Sequence, residues 1–234
     1  MKPLIRFLAV GLLLAAVQPL AAFEGKVSLA VTADRAGTMN MDYSFKGQKV
    51  RMDMAAQGHQ MASITDMAKM ETLLLMPEQQ MYMVMSLKKP MEQAMEKAGS
   101  STADIEVTGK TETILGYKCN QILVKDKGAT TEVWAAEGLG AFTGMGGGNP
   151  MAGMMGGGRG KPAAAAKWEE ALKGKGGFPL RVISRDASGK QTFKMEATKV
   201  EAGSLSDSLF TAPAGYQKFD MPNMGGLLKG MGNE

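Results

Sequence analysis

From Phe23 onward, apolar and polar residues alternate. Phe23, Gly25, Val27, Leu29 and Val31 fall on one side of a period-two repeat, with Glu24, Lys26, Ser28 and Thr32 on the other. Met39, Met41, Tyr43 and Phe45 then alternate with Asn40, Asp42, Ser44 and Lys46, and Val50, Met52 and Met54 alternate with Lys49, Arg51 and Asp53. A period of two is that of a half-buried antiparallel strand. The register predicts Val27, Leu29, Met39, Met41, Tyr43, Val50 and Met52 inside, and Lys26, Asp42, Lys49 and Asp53 outside. Turn residues at 34–37, 46–48 and 57–58 separate these runs. The pattern continues more weakly over 60–65 and 71–76, and again over 80–87, where Met81, Met83 and Met85 share a face. Further strands are predicted over 105–113, 117–125 and 130–136, with a last hairpin formed by 178–185 and 190–200. Short connections between successive strands predict a meander.

The period changes twice. Pro90 suits the first turn of a helix, Met91, Ala94, Met95 and Ala98 follow helical spacing, and Gly99 is a stop signal. A second helix is predicted over 163–173, with Ala165, Trp168 and Leu172 on one side. Residues 143–161 are so rich in glycine that ordering them costs much backbone entropy, which predicts a mobile loop. Residues 220–234 predict a loose Met- and Gly-rich tail. The expected fold is mainly β (α+β). It is a strongly curved antiparallel sheet, a half-open β-barrel of about ten strands, with two short helices over its concave face. A single domain is expected over 23–219.

Residues 1–22 carry a second message. Lys2 and Arg6 precede an apolar run over 7–17, and Leu20, Ala21 and Ala22 offer a small-residue cleavage site. This is the pattern of a secretory signal peptide cleaved near Ala22, with an apolar run too short to span a bilayer as a helix. A periplasmic or secreted location follows as an expectation, with no transmembrane segment left after cleavage. The chain carries 27 Lys and Arg against 23 Asp and Glu. Two of those basic residues lie in the leader, so the remaining excess is small and does not suit a nucleic-acid surface. One Cys and one His in 234 residues exclude a His/Cys zinc site and an intramolecular disulfide. Cys119 is expected to lie buried on a strand as a small hydrophobe.

No catalytic constellation emerges. His59 is the only imidazole that could activate Cys119, and nothing in the spacing joins the two. Gly156 to Lys161 is followed by Pro162 and Ala163 rather than Ser or Thr, so it is not a phosphate-binding loop. The expectation is a non-enzyme without a cofactor. Methionine is the anomaly: 22 residues, against 14 aromatics. Met39 with Met41, Met52 with Met54, and Met81 with Met83 and Met85 each share a strand face. Three readings stay open. Flexible, polarizable thioethers can line an adaptable apolar cavity, can select copper(I), or can simply fill a core. The lining candidates are Met39, Met41, Met52, Met54, Met81, Met83, Met85, Met91, Ala94, Met95, Ala98 and Trp168. The copper candidates are Met81, Met83, Met85 and His59. Along one strand, alternate thioethers stand about 6.5–7 Å apart, so copper would need a ligand from a neighbouring strand.

Certain residues also carry a family likeness. Gly109, Gly116, Tyr117 and Cys119, then Val133, Trp134 and Ala135, then Gly177, Phe178, Pro179 and Leu180 occur in order, followed by Leu209, Phe210, Pro213, Gly215 and Tyr216. With Phe23, Glu24 and Gly25, and with Lys46, Gly47, Val50 and Arg51, they resemble an exported bacterial family known as domain of unknown function 4412. The resemblance implies an architecture like the half-open barrel of periplasmic lipoprotein carriers and receptors, where acyl chains lie under helical lids. The loop at 143–161 departs from that family pattern, and no lipid-anchor Cys follows the leader. Residues and resemblance together predict an exported binding or carrier protein for an apolar ligand such as an acyl chain or lipid. The alternatives are a periplasmic copper(I)-binding protein and a structural or interaction protein of the cell envelope.

Overall fold

The computed structural model describes residues 23–34, 37–56, 59–89, 92, 104–140, 142, 168–169, 172 and 177–220; the side chains of Ala56 and His59 are outside this set. The leader at 1–22, the loop at 143–161 and the tail beyond Asp220 also lie outside it, as do Met91, Ala94, Met95 and Ala98.

Twelve strands form one sheet. The first group is β1 (Gly25–Ala33), β2 (Gly37–Lys46), β3 (Lys49–Ala56), β4 (His59–Asp66), β5 (Glu71–Met76) and β6 (Met81–Ser86). The second is β7 (Asp104–Ile114), β8 (Tyr117–Asp126), β9 (Ala129–Ala136), β10 (Phe178–Arg185) and β11 (Gln191–Ala202), with β12 (Gln217–Lys218) last. Their order is β12-β6-β5-β4-β3-β2-β1-β11-β10-β9-β8-β7. Two antiparallel meanders, β1–β6 and β7–β11, are thus joined by the β1–β11 ladder, with a bulge between Ser28 and Leu29. Among the described residues the sheet does not close.

Three expectations need correction. The described residues hold twelve strands rather than about ten. The simple meander is broken by β1 pairing with β11, a contact between strands far apart in sequence that alternation cannot announce, since period two marks strands and not distant partners. The pair of covering helices is not supported. Only Lys88, Lys89, Glu92, Trp168, Glu169 and Leu172 of those regions are described as helical, and no helix of seven or more residues occurs among the described residues.

The inward face follows the alternation. Val27, Leu29, Met41, Tyr43, Val50 and Met52 are buried, and Met39 is half-buried. Lys26 and Asp42 are exposed, whereas Lys49 and Asp53 are only half-exposed. The difference arises because the opposite face is covered in part. After β11 the chain runs back over β3–β5, and Phe210 packs on Ala62, Ile64 and Leu75, with Leu205, Leu209 and Tyr216 beside it. Arg51 donates to the Leu209 carbonyl at 3.1 Å and to the Asp53 carboxylate at 2.6–3.0 Å. Lys46 donates to the Leu205 carbonyl at 2.6 Å and pairs with Asp207 at 2.9 Å. Gln217–Lys218 then add β12 in parallel to Met81 and Tyr82 at the start of β6, while β7 is the outer strand at the other edge.

Gly25 starts β1 where side chains do not fit. Its φ is +155°, and an added Cβ would overlap the Glu201 carbonyl oxygen and the Phe23 ring. Glycine here lets β1 and β11 meet at the seam that joins the two meanders.

Candidate functional site: a methionine-lined sheet face

The ladders turn separate Met-X-Met pairs into continuous rows. Directly opposed residues in antiparallel strands share a face, with Cβ atoms about 4.5–5.5 Å apart. One row runs Leu29, Met41, Met54, Met61 across β1–β4. The β4–β5 register pairs Ala62 with Leu75, so Met61 and Met76 stand side by side, and Met76 is opposed to Met81 on β6. Five methionines from five consecutive strands therefore form one line. The next row is Val27, Tyr43, Met52, Ser63, Leu74 and Met83. A third ends in Thr65, Thr72 and Met85, with the two threonine hydroxyls 3.0 Å apart. On the far side Met39 opposes Val31, which opposes Met195 on β11.

No Asp, Glu, Lys or Arg stands on this face of β2–β6 among the described residues. Met41, Met52, Met54, Met83 and Met195 are buried, whereas Met39, Met61, Met76, Met81 and Met85 are half-buried. Burial is deepest toward β1 and β2, where an aromatic cluster covers the sheet. Tyr43 and Phe45 contact Phe178 at centroid distances of 5.4 Å, and Phe142 bridges Tyr43 at 5.6 Å to Trp168 at 5.3 Å. Gly140, at φ +91°, brings the chain leading to Phe142 against the Phe45 ring, where an added Cβ would come 2.8 Å from the ring edge.

Of the residues expected from the sequence to line a site, Met39, Met41, Met52, Met54, Met81, Met83 and Met85 lie on this one face, and Trp168 is wholly buried in the same apolar cluster. Met91, Ala94, Met95 and Ala98 are outside the described residues. His59 occupies β4 opposite Ala56, two strands from Met81. Sequence reasoning misses Met61, Met76 and Met195. Met61 and Met76 sit in strands of weak alternation, and Met195 reaches the face through the β1–β11 ladder.

The chemistry available is apolar contact and thioether donation. Met54 with Met61, and Met76 with Met81, are directly opposed pairs, each placing two soft thioether donors on neighbouring strands. Among the described residues there is no group of three or more His, Cys, Asp or Glu that could hold a metal ion. Cys119 is buried on β8, and that burial pushes its thiol pKa up, away from the reactive thiolate. Charges gather on the opposite face. Arg181 bridges Glu112 at 2.9 Å and Glu196 at 3.0 Å; hydrogen bonds from Lys194 and then Arg181 hold the Glu196 carboxyl below its usual range. This is a partly solvated ion network that ties β7, β10 and β11 together.

No curated protein matches the chain. Among solved structures, an uncharacterized conserved protein from Thermus thermophilus is 10% identical, with 86% of this chain and 91% of that one covered and a TM-score of 0.47. A chain of the MucA/MucB complex of Pseudomonas aeruginosa is 9% identical, with coverages of 85% and 58% and a TM-score of 0.48. A putative outer membrane lipoprotein-sorting protein domain from Vibrio parahaemolyticus is 8% identical, with coverages of 79% and 87% and a TM-score of 0.28. The model of the family described as domain of unknown function (DUF4412) matches residues 23–216, from the approach to β1 to the segment that folds back over β3–β5. The chain belongs to the DUF4412 family.

Proposed function

We propose that this protein is an exported, non-enzymatic binding or carrier protein whose methionine-lined sheet face holds a flexible apolar molecule such as an acyl chain. The observation that carries the reading is the row from Met41 to Met81: five thioether side chains from five strands, on a face with no Asp, Glu, Lys or Arg among the described residues. A structural core needs only apolar volume, and Leu or Val supply it with fewer rotamers to freeze. Unbranched Met adapts to guests of different shape. Four of the five half-buried methionines of this face, Met61, Met76, Met81 and Met85, lie on β4–β6, away from the aromatic cover, and the fifth, Met39, lies on β2. Burial of an acyl chain contributes about 0.8 kcal/mol per CH₂, so eight groups yield roughly 6 kcal/mol before ordering costs. Export rests on the leader at 1–22.

The opposed methionine pairs favour copper(I) as a second reading, because the neighbouring-strand ligand that a single Met-X-Met run lacks is supplied by Met61 and Met76. Native mass spectrometry of protein purified gently from its own compartment separates the two. A retained lipid mass is expected. A retained copper mass would favour the metal, and a ligand-free chain throughout would count against both.

A further inference from the structure

We infer that the apolar ligand carries a hydrogen-bond acceptor, a carboxyl or ester carbonyl, and that the indole Nε1–H of Trp168 donates to it. The inference rests on the binding function proposed above and specifies the chemistry of its ligand. Trp168 is 0% exposed, and its Nε1 has no hydrogen-bond partner among the described residues. An indole nitrogen can only donate, so it cannot be satisfied by rotating into another role. A buried donor left unmade is costly, and buried polar atoms in folded proteins are nearly all paired. The position of the ring gives the orphan donor a meaning. Trp168 lies 5.3 Å from Phe142, and Phe142 lies 5.6 Å from Tyr43, whose direct cross-strand neighbour is Met52. The indole ring that carries the donor therefore belongs to the apolar cluster that continues into the methionine rows. A molecule whose chain lies along those rows and whose acceptor reaches Trp168 would bury its tail and satisfy the indole together. Pure hydrocarbon would leave the donor unmade, and an ammonium head would oppose one donor with another.

The full chain after removal of the leader, stripped of bound lipid, is titrated with dodecanoic acid, methyl dodecanoate and dodecane. Nitrogen-15 NMR of the indole groups is recorded in a Trp134→Phe background. Trp134 is half-buried on the opposite face, opposed to Arg181 and Gln121, so its removal leaves Trp168 as the sole indole signal. Acid and ester are each expected to move the Trp168 Nε1–H proton downfield, and dodecane to leave it in place. The ratio of acid to ester affinity tells a free fatty acid from an esterified chain. Trp168→Phe, which keeps a ring in place, is expected to weaken methyl dodecanoate about tenfold relative to dodecane. Bound ester with an unmoved indole proton overturns the inference and leaves the binding function standing, as does an equal shift with dodecane. Should Trp168→Phe fail to fold, the proton shift in the Trp134→Phe protein decides alone. Failure of all three molecules to bind removes the binding function and this inference together.

Discussion

At the scale of single residues, burial decides what each chemical group can do. Cys119 is fully enclosed on β8, its sulfur 3.5 Å from the Tyr117 carbonyl, and burial raises its pKa. Its thiol should therefore resist a disulfide reagent such as DTNB in the folded protein and react at once in denaturant. Fast reaction of the native protein at neutral pH would show that the strand is open there. Gly140 makes a second residue-scale case. With φ at +91° and the Phe45 ring 2.8 Å from an added Cβ, Gly140→Ala combines backbone strain with a clash. A loss of about 1–3 kcal/mol in denaturant unfolding is expected, and an unchanged midpoint would contradict this packing. The burial of Cys119 was legible in the sequence, since a lone Cys within an alternating strand suits the inside. The need for glycine at 140 was not, because it depends on Phe45, nearly a hundred positions earlier.

At the scale of elements, the returning segment around Phe210 shows how a polar rim and a small apolar patch hold one piece of chain. Phe210 is 4% exposed on Ala62, Ile64 and Leu75, so Phe210→Ala should cost about 3 kcal/mol by lost burial and the cavity left behind. Unfolding monitored by circular dichroism measures it, and a change under about 1 kcal/mol would mean that the segment is not docked. Acid should loosen the same element. The Lys46 hydrogen bond and charge hold the Asp207 carboxyl below its usual range. A group depressed in the folded state contributes stability above its unfolded pKa and loses it as pH falls through the folded value. Protection of the Leu209 amide, which donates to the Ser206 carbonyl at 3.1 Å, should therefore fall below about pH 4 in hydrogen exchange, before the central strands open. Equal protection at about pH 3 and pH 7 would remove the Asp207 contact from the account. The strands β1–β3 were legible from strict alternation, and so was the sharing of a face by Met81, Met83 and Met85. The docking of 205–216 was not, because Lys49 and Asp53 read as solvated residues until Arg51 and Leu209 enclose that side of β3.

Over the whole molecule, the sheet order converts a residue bias into a surface. Three Met-X-Met strands are visible in the sequence, but their alignment depends on ladder registers, and these on turn lengths and on hydrophobic residues facing one side together. Only with the strands paired do Met54, Met61, Met76 and Met81 become neighbours, and only through the β1–β11 seam does Met195 join them. Composition could therefore announce the material of the site while leaving its shape unread. Shape and material together distinguish the two ligand classes. Leucine preserves apolar contact and removes sulfur, whereas glutamine preserves length and removes apolarity. The most direct test is displacement of a fluorescent fatty acid from the delipidated protein, with Met76, Met81 and Met85 changed together to Leu in one variant and to Gln in another. Saturable binding is expected in the wild type, within about threefold of it in the Leu variant, and weakened at least about tenfold in the Gln variant. No saturable binding by folded wild-type protein, or equal affinity in all three forms, would contradict the methionine face as the binding site.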